Sequence, residues 1–383
     1  MIAKQASAQT PRRRVLRNIG RRAASPATVP QAGPGCPGSV ALNISRRGFL
    51  LRAALLPAAF GWADWLQAAG TPRRARFGLI ADVHQDVMPD GPERLAAFVA
   101  AMTRARVDFI IQLGDFCQPH PRNRPFLEVW RRFPGPRHHV LGNHDMDGGY
   151  RREQTAEFYG MPAPHYAFDA GPIRGIVLDG NEPGGKAGGY ARYVGPAQQT
   201  WLRRQLEAVD RPVVLFIHQP FDADNDGCLE NAAEIRTILE TAQRRRPGLI
   251  LAVFAGHWHL DYERVVGGVR YLEINSASYW WLANPAARGE TFPPEAHRTH
   301  PYLKCVAAYR DPLWATATFD FERREFLLEG RRSSWVGPSP WERGEKTSWT
   351  KAELHPWISD RRAPLPPPSG LLKKPQGTLN TTS

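Results

Sequence analysis

Nine side chains able to hold a metal or move a proton stand in five short motifs: Asp82-Val83-His84, Gly114-Asp115, Gly142-Asn143-His144-Asp145, His218, and Gly256-His257-Trp258-His259. Carboxylate, imidazole and amide oxygen form a hard-to-borderline donor set, suited to Mn, Fe or Zn and ill suited to a soft thiolate metal. Two such cations about 3.5–4 Å apart can activate a shared water and neutralise phosphoryl oxygens during in-line attack. A carboxylate that ligates both would set their spacing. Protonating a leaving oxygen calls for a nearby imidazole with a carboxylate to orient it. His144 followed by Asp145 offers both within one turn. Taken singly, Asp82 reads as a turn residue, Asn143 as a helix cap and His257/His259 as a polar strand end. The weight lies in their joint occurrence.

The elements that must position these residues alternate between strand and helix. Continuous apolar runs predict strands over 76–81, 109–113, 138–141, 173–178, 213–217 and 249–254, and helical spacing predicts helices over 92–106, 124–133, 198–208 and 231–245. Asn231 is the expected N-cap of the last helix. Short β segments over 269–274, 315–321 and 325–328 follow. Each motif falls just past a predicted strand, where an open α/β sheet places its ligands. Glycines before Asp115, Asn143 and His257 permit sharp turns and close backbone approach.

The five motifs, in this order, resemble those of the calcineurin-like metallophosphoesterase superfamily over roughly residues 76–275. The resemblance implies a four-layer α/β sandwich with two central mixed β-sheets flanked by helices. It also implies a metal-dependent phosphoric ester hydrolase whose nucleophile is a hydroxide bridging two divalent or trivalent metal ions. One metal would take Asp82, His84, Asp115 and His259, the other Asp115, Asn143, His218 and His257, with Asp115 as the bridge. His144 would be the general acid or a transition-state hydrogen-bond donor, and Asp145 its orienter. The second motif continues Phe116-Cys117-Gln118, without the acid or tyrosine of some branches. The Asp-x-His first motif, without a tyrosine ligand, looks less like purple acid phosphatases and more like the phosphodiesterase-type branches. The expected substrate is a small phosphate mono- or diester. A nucleotide or nucleoside-diphosphate pyrophosphatase, or an inactive metal-binding module of the cell envelope, are the alternatives.

Charge and composition divide the 383 residues into three parts. The chain carries +13, but residues 1–70 hold ten Lys/Arg against the single acid Asp64, which leaves only +4 on the rest. The basicity therefore belongs to a leader, and a nucleic-acid partner is not expected. Ser45-Arg46-Arg47-Gly48-Phe49-Leu50, an apolar stretch over 53–63 and small residues at Ala68-Ala69-Gly70 follow the order of an export signal. The paired arginines resemble the twin-arginine type, which implies that export machinery as a partner, cleavage near residues 68–70 and a periplasmic or extracellular destination. The apolar stretch is too short for a stable membrane span. Residues 71–331 are the expected catalytic domain, and 332–383 an irregular, Pro-rich tail. Cys117, Cys228 and Cys305 lie beyond the leader with no close-spaced pair, so no disulfide framework is expected. Tyr279-Trp280-Trp281 reads equally as a wall against a bound group or as core, and 222–228 and 275–288 are the expected specificity loops.

Overall fold

The computed structural model describes residues 73–366 apart from 187 and 226, so the leader and its signal lie outside the described residues. The strands are β1 Arg74–Ile80, β2 Phe109–Gln112, β3 Arg137–His139, β4 Tyr166–Ala170, β5 Ile173–Val177, β6 Val213–Phe216, β7 Ile250–Ala255, β8 Tyr262–Val266, β9 Val269–Glu273, β10 Tyr279–Trp281, β11 Val306–Ala308, β12 Ala315–Asp320, β13 Glu325–Glu329 and β14 Arg361–Pro364. The helices are α1 Gly91–Ala105, α2 Arg124–Arg131, α3 Arg152–Tyr159, α4 Pro196–Ala208, α5 Ala232–Arg245 and α6 Pro294–Thr299.

Two six-stranded mixed sheets result, in the orders β14-β13-β12-β1-β2-β3 and β4-β5-β6-β7-β9-β8. Alternation along the strands decides what each sheet face touches. In β1, Phe77 and Leu79 enter the core between the sheets, whereas Ile80 joins the layer beneath α1 and α2. Gly78 also faces that layer, and a Cβ there would overlap Met102 of α1. In the second sheet Val214, Phe216 and Phe254 face the same inter-sheet core, while Val213, Leu215 and Val253 pack with the α4 and α5 stripes. The outcome is the expected four-layer α/β sandwich. Phe77 and Phe109 stack at 4.6 Å in its centre, with Phe216 edge-on to Phe77 at 5.7 Å. Close-packed aromatic burial of this kind contributes about 1.5–3 kcal/mol per ring.

Every expected strand and helix is present with its ends moved by at most two residues. Several elements were not anticipated: α3, α6, β4, β8 and the small β10–β11 pair. β4 and β8 are edge strands with half-exposed patterns, which carry little apolar periodicity. Asn231 does not cap α5 through its side chain, which instead holds Val194 through bonds to its O at 2.8 Å and its N at 3.2 Å. The tail also needs correction. Over 332–360 it lacks helix and strand, yet Leu354 and Ile358 are buried, and β14 then adds an antiparallel strand to β13. An edge strand tolerates the terminal Pro364 because no further ladder requires its missing N–H. Packing therefore does not end at residue 331. Among the described residues no helix is long and apolar enough to cross a membrane.

Candidate metal centre

The site grows from the carboxyl ends of parallel strands in both sheets. Asp82 and His84 lie just beyond β1, Asp115 beyond β2, Asn143 beyond β3, His218 beyond β6, and His257 and His259 beyond β7. These loops are bent unusually hard. Seven described non-glycine residues have positive φ, and five are Asp82 (51°), His84 (50°), Asp115 (50°), His257 (79°) and His259 (55°). Left-handed backbone costs a residue with a side chain about 1 kcal/mol or more. Cross-loop bonds hold it in place: Asp82 N to Gly114 O at 3.1 Å, His84 N to Asp115 O at 2.9 Å and Gly256 N to His218 O at 3.1 Å. Gly142 must be glycine for a different reason. A Cβ there would overlap the Asp115 backbone nitrogen and carboxylate.

Six of the seven expected ligands fall into two buried or nearly buried triads, Asp82–His84–His259 and Asp115–His218–His257. In the first, His84 Nε2 lies 3.2 Å from His259 Nε2, which is 3.2 Å from Asp82 Oδ1. In the second, His218 Nε2 is 3.2 Å from His257 Nδ1 and 3.3 Å from Asp115 Oδ2. Asn143, the seventh, places Oδ1 3.1 Å from His218 Nε2. The triads meet at Asp115, whose Oδ2 is also 3.6 Å from His84 Nε2. One carboxylate oxygen thus faces both donor sets.

Ring orientation and charge fit cations at these positions. The Nδ1–H groups of His218 and His259 donate to Leu113 O (2.8 Å) and Tyr279 O (2.6 Å), which turns both Nε2 lone pairs inward. Burial pushes the His84 and His257 imidazoles well below their ordinary range, so both rings are neutral donors. Burial also pulls His218 down, yet the Asp115 carboxylate lifts it to about 9, which marks a position that attracts positive charge. Nitrogen lone pairs converging on carboxylate oxygens, with no thiolate among them, suit Mn, Fe or Zn.

His144 stands beside Asp115, its backbone N donating to Asp115 Oδ1 at 2.8 Å. Its expected partner Asp145 is elsewhere. The buried Asp145 carboxylate accepts from Phe116 N (2.7 Å), Cys117 N (3.1 Å) and Gly142 N (2.8 Å), fastening the loops after β2 and β3 together. Asp147 instead receives the His144 ring, Nδ1 to Oδ2 at 2.8 Å. The cause is local: residues 143–146 form a 3-10 turn, where side chains at i and i+3 eclipse and adjacent ones diverge. Tyr190 completes the group, with its OH donating to Asp147 Oδ1 at 2.7 Å and lying 3.2 Å from His144 Nδ1. Burial pulls the His144 imidazole down, but Asp115 and Asp147 together raise it above the ordinary value. Asp147 was legible at spacing i+3, whereas nothing local pointed to Tyr190.

A cleft of about 410 Å³ opens beside His84, Asp115 and His144. The aromatic run 279–281 divides on either side of its strand. Tyr279 is buried and stacked on His84 at 5.0 Å, Trp280 joins a core cluster with Leu260 and Tyr262, and Trp281 lines the cleft. Of the two expected specificity loops only 275–288 contributes to this lining, through Trp281. The other packs by Trp258, whose ring a Cβ at Gly227 would overlap, and its Asp222 accepts from Tyr262 OH. Cys117 also lines the cleft wall, and burial raises its thiol well above the ordinary range, which favours a filler role over that of a nucleophile.

Residues 75–261 match the family model described as calcineurin-like phosphoesterase. This stretch is a calcineurin-like phosphoesterase domain. The phosphoesterase domain is a metal-dependent phosphoester hydrolase, and the two triads lie within its matched span. Some solved structures are similar to the chain at low sequence identity. A dimetal phosphatase from Danio rerio is 18% identical, with 69% of this chain and 99% of that one covered and a TM-score of 0.47. PhoD is 12% identical, over 70% of this chain and 68% of that one, at 0.45. GAP50, named as the anchor in the inner membrane complex of Plasmodium, is 13% identical over 75% and 89%, also at 0.45. No curated protein matches the sequence.

Proposed function

We propose that this phosphoesterase domain hydrolyses small phosphate esters, mono- or diesters, at a dinuclear metal centre in an exported protein. The observation that carries the reading is Asp115 Oδ2 facing both donor sets, 3.3 Å from His218 Nε2 and 3.6 Å from His84 Nε2. Asp82, His84, Asp115 and His259 would hold one metal, and Asp115, Asn143, His218 and His257 the other, with Mn, Fe or Zn as the candidates. Bound metals supply positive charge that acidifies water and neutralises the phosphoryl oxygens. His144, with its Nδ1–H held by Asp147, presents its other ring nitrogen to the leaving oxygen as a proton donor. Tyr190 steadies Asp147, and Asp145 keeps the two ligand-bearing loops in register. Arg46-Arg47 and the apolar stretch behind them motivate twin-arginine export to the periplasm or beyond, though they lie outside the described residues.

The test is metal analysis of the purified protein followed by an ester panel. Two metals per chain and hydrolysis that chelation abolishes are expected. Full activity after exhaustive chelation would overturn the reading. For export, replacing Arg46 and Arg47 by Lys should leave the protein in the cytoplasm, and unimpaired export would exclude the twin-arginine route.

A further inference from the structure

The cleft beside the metal centre has a charge pattern that bears on the kind of ester it takes. Beyond the ligands and His144, its wall is made largely by Asp86, Gln118, Asp147, Tyr190, Trp281 and Tyr302, and no lysine or arginine is among its described lining residues. Both carboxylates are fixed. Asp86 accepts from Gln118 N (2.7 Å), Asn123 Nδ2 (2.9 Å) and Arg122 (2.8 Å), while Asp147 is held by His144 and Tyr190. Arg122 answers Asp86 without itself lining the cleft. The aromatic residues contrast with this polar frame. Tyr302 is 62% exposed and Tyr190 38%, large exposures for side chains of this size, and the Trp281 ring lies 5.9 Å from the His144 ring.

We infer that this cleft selects phosphodiesters over phosphomonoesters, with a flat unsaturated group of the diester laid against Trp281 and Tyr302. The inference rests on the phosphoesterase reading above. A monoester carries about −1.5 to −2 near neutral pH, since its second pKa is about 6, whereas a diester carries a single charge. Beyond the metals and His144, the extra charge would face the Asp86 and Asp147 carboxylates, with no lysine or arginine on the cleft wall to receive it. The second ester group of a diester, by contrast, has partly exposed rings to cover, and flat groups stack well on them. In the reaction one P–O bond forms to water and one P–O ester bond breaks. The water gives up a proton to solvent, and the leaving oxygen takes one from His144. The products are an alcohol and a monoester, and the same carboxylates that disfavour a monoester as substrate favour its departure.

The experiment uses the metal-loaded full chain with three esters sharing one leaving group: bis(4-nitrophenyl) phosphate, methyl 4-nitrophenyl phosphate and 4-nitrophenyl phosphate. Either diester should exceed the monoester in kcat/KM by about tenfold or more, and the bis-aryl ester should exceed the methyl ester several-fold. Tyr302→Arg should raise monoester kcat/KM relative to the bis-aryl ester by roughly tenfold, a gain that misfolding cannot produce. Monoester turnover equal to or above that of the diesters would overturn the selection and leave the phosphoesterase reading standing. Equal rates on the two diesters, unchanged in Trp281→Phe and Tyr302→Ala, would overturn the stacking. Hydrolysis of none of the three by protein holding two metals would overturn the phosphoesterase reading and this inference with it.

Discussion

The middle of the sandwich and its metal rim obey opposite rules. Between the sheets, Phe77, Phe109, Phe216 and Phe254 sit on regular strands, fully buried and ring against ring. At the rim, charged and polar side chains are buried or nearly so, and five of them stand on left-handed backbone. The core residues satisfy every local preference at once, while the rim residues violate several. A strained, polar rim can persist only because the apolar layer beneath it contributes the stability that the rim lacks. The contrast separates what makes the protein fold from what makes it act, and substitutions can test the separation.

The largest effect should come from Asp115→Asn. Losing the shared carboxylate should abolish ester hydrolysis and lower metal content, measured on protein of unchanged circular dichroism. Full activity would break the assignment of Asp115 to both metals. Phe77→Ala should act in the opposite sense, lowering stability by about 3–5 kcal/mol in denaturant titration while the fraction that remains folded keeps its metals. If the metals leave first, core and rim are not separable. His144→Ala should reduce kcat by roughly 10²–10⁴ with both metals retained, and Asp147→Asn by about tenfold, with Asp145→Asn showing itself mainly as lost stability. An Asp145→Asn variant of normal stability whose kcat falls as far as that of Asp147→Asn would restore Asp145 as the orienter. The smallest effect sharpens the strain argument. Arg106, which ends α1 at φ 51° far from any ligand motif, should accept glycine with a gain of about 0.5–1 kcal/mol. A loss instead would mean that left-handed residues in this chain are held by side-chain contacts wherever they occur.

Much of this was legible before any coordinates. Apolar runs at period two and stripes at helical spacing are local signals, so the six main strands and four helices were within reach. The ligands were legible because each follows a strand closely, and parallel strands bring their carboxyl ends together. Less was legible where geometry depends on residues distant in the chain. Edge strands β4 and β8 owe their form to a neighbouring strand rather than to their own apolar pattern, and β14 exists because β13 offers it an open edge.

The amino-acid order by itself determined which atoms could bind a cation and that they would gather at strand ends, since residue type and local periodicity are short-range properties. Tertiary structure alone decided that Asp147 rather than Asp145 holds His144, that Tyr190 joins them from 46 residues away, and that Trp281 rather than Trp280 faces the cleft. Those outcomes follow from the pitch of one turn, the face of one strand and the packing of remote loops, and each is fixed only once the chain has closed on itself.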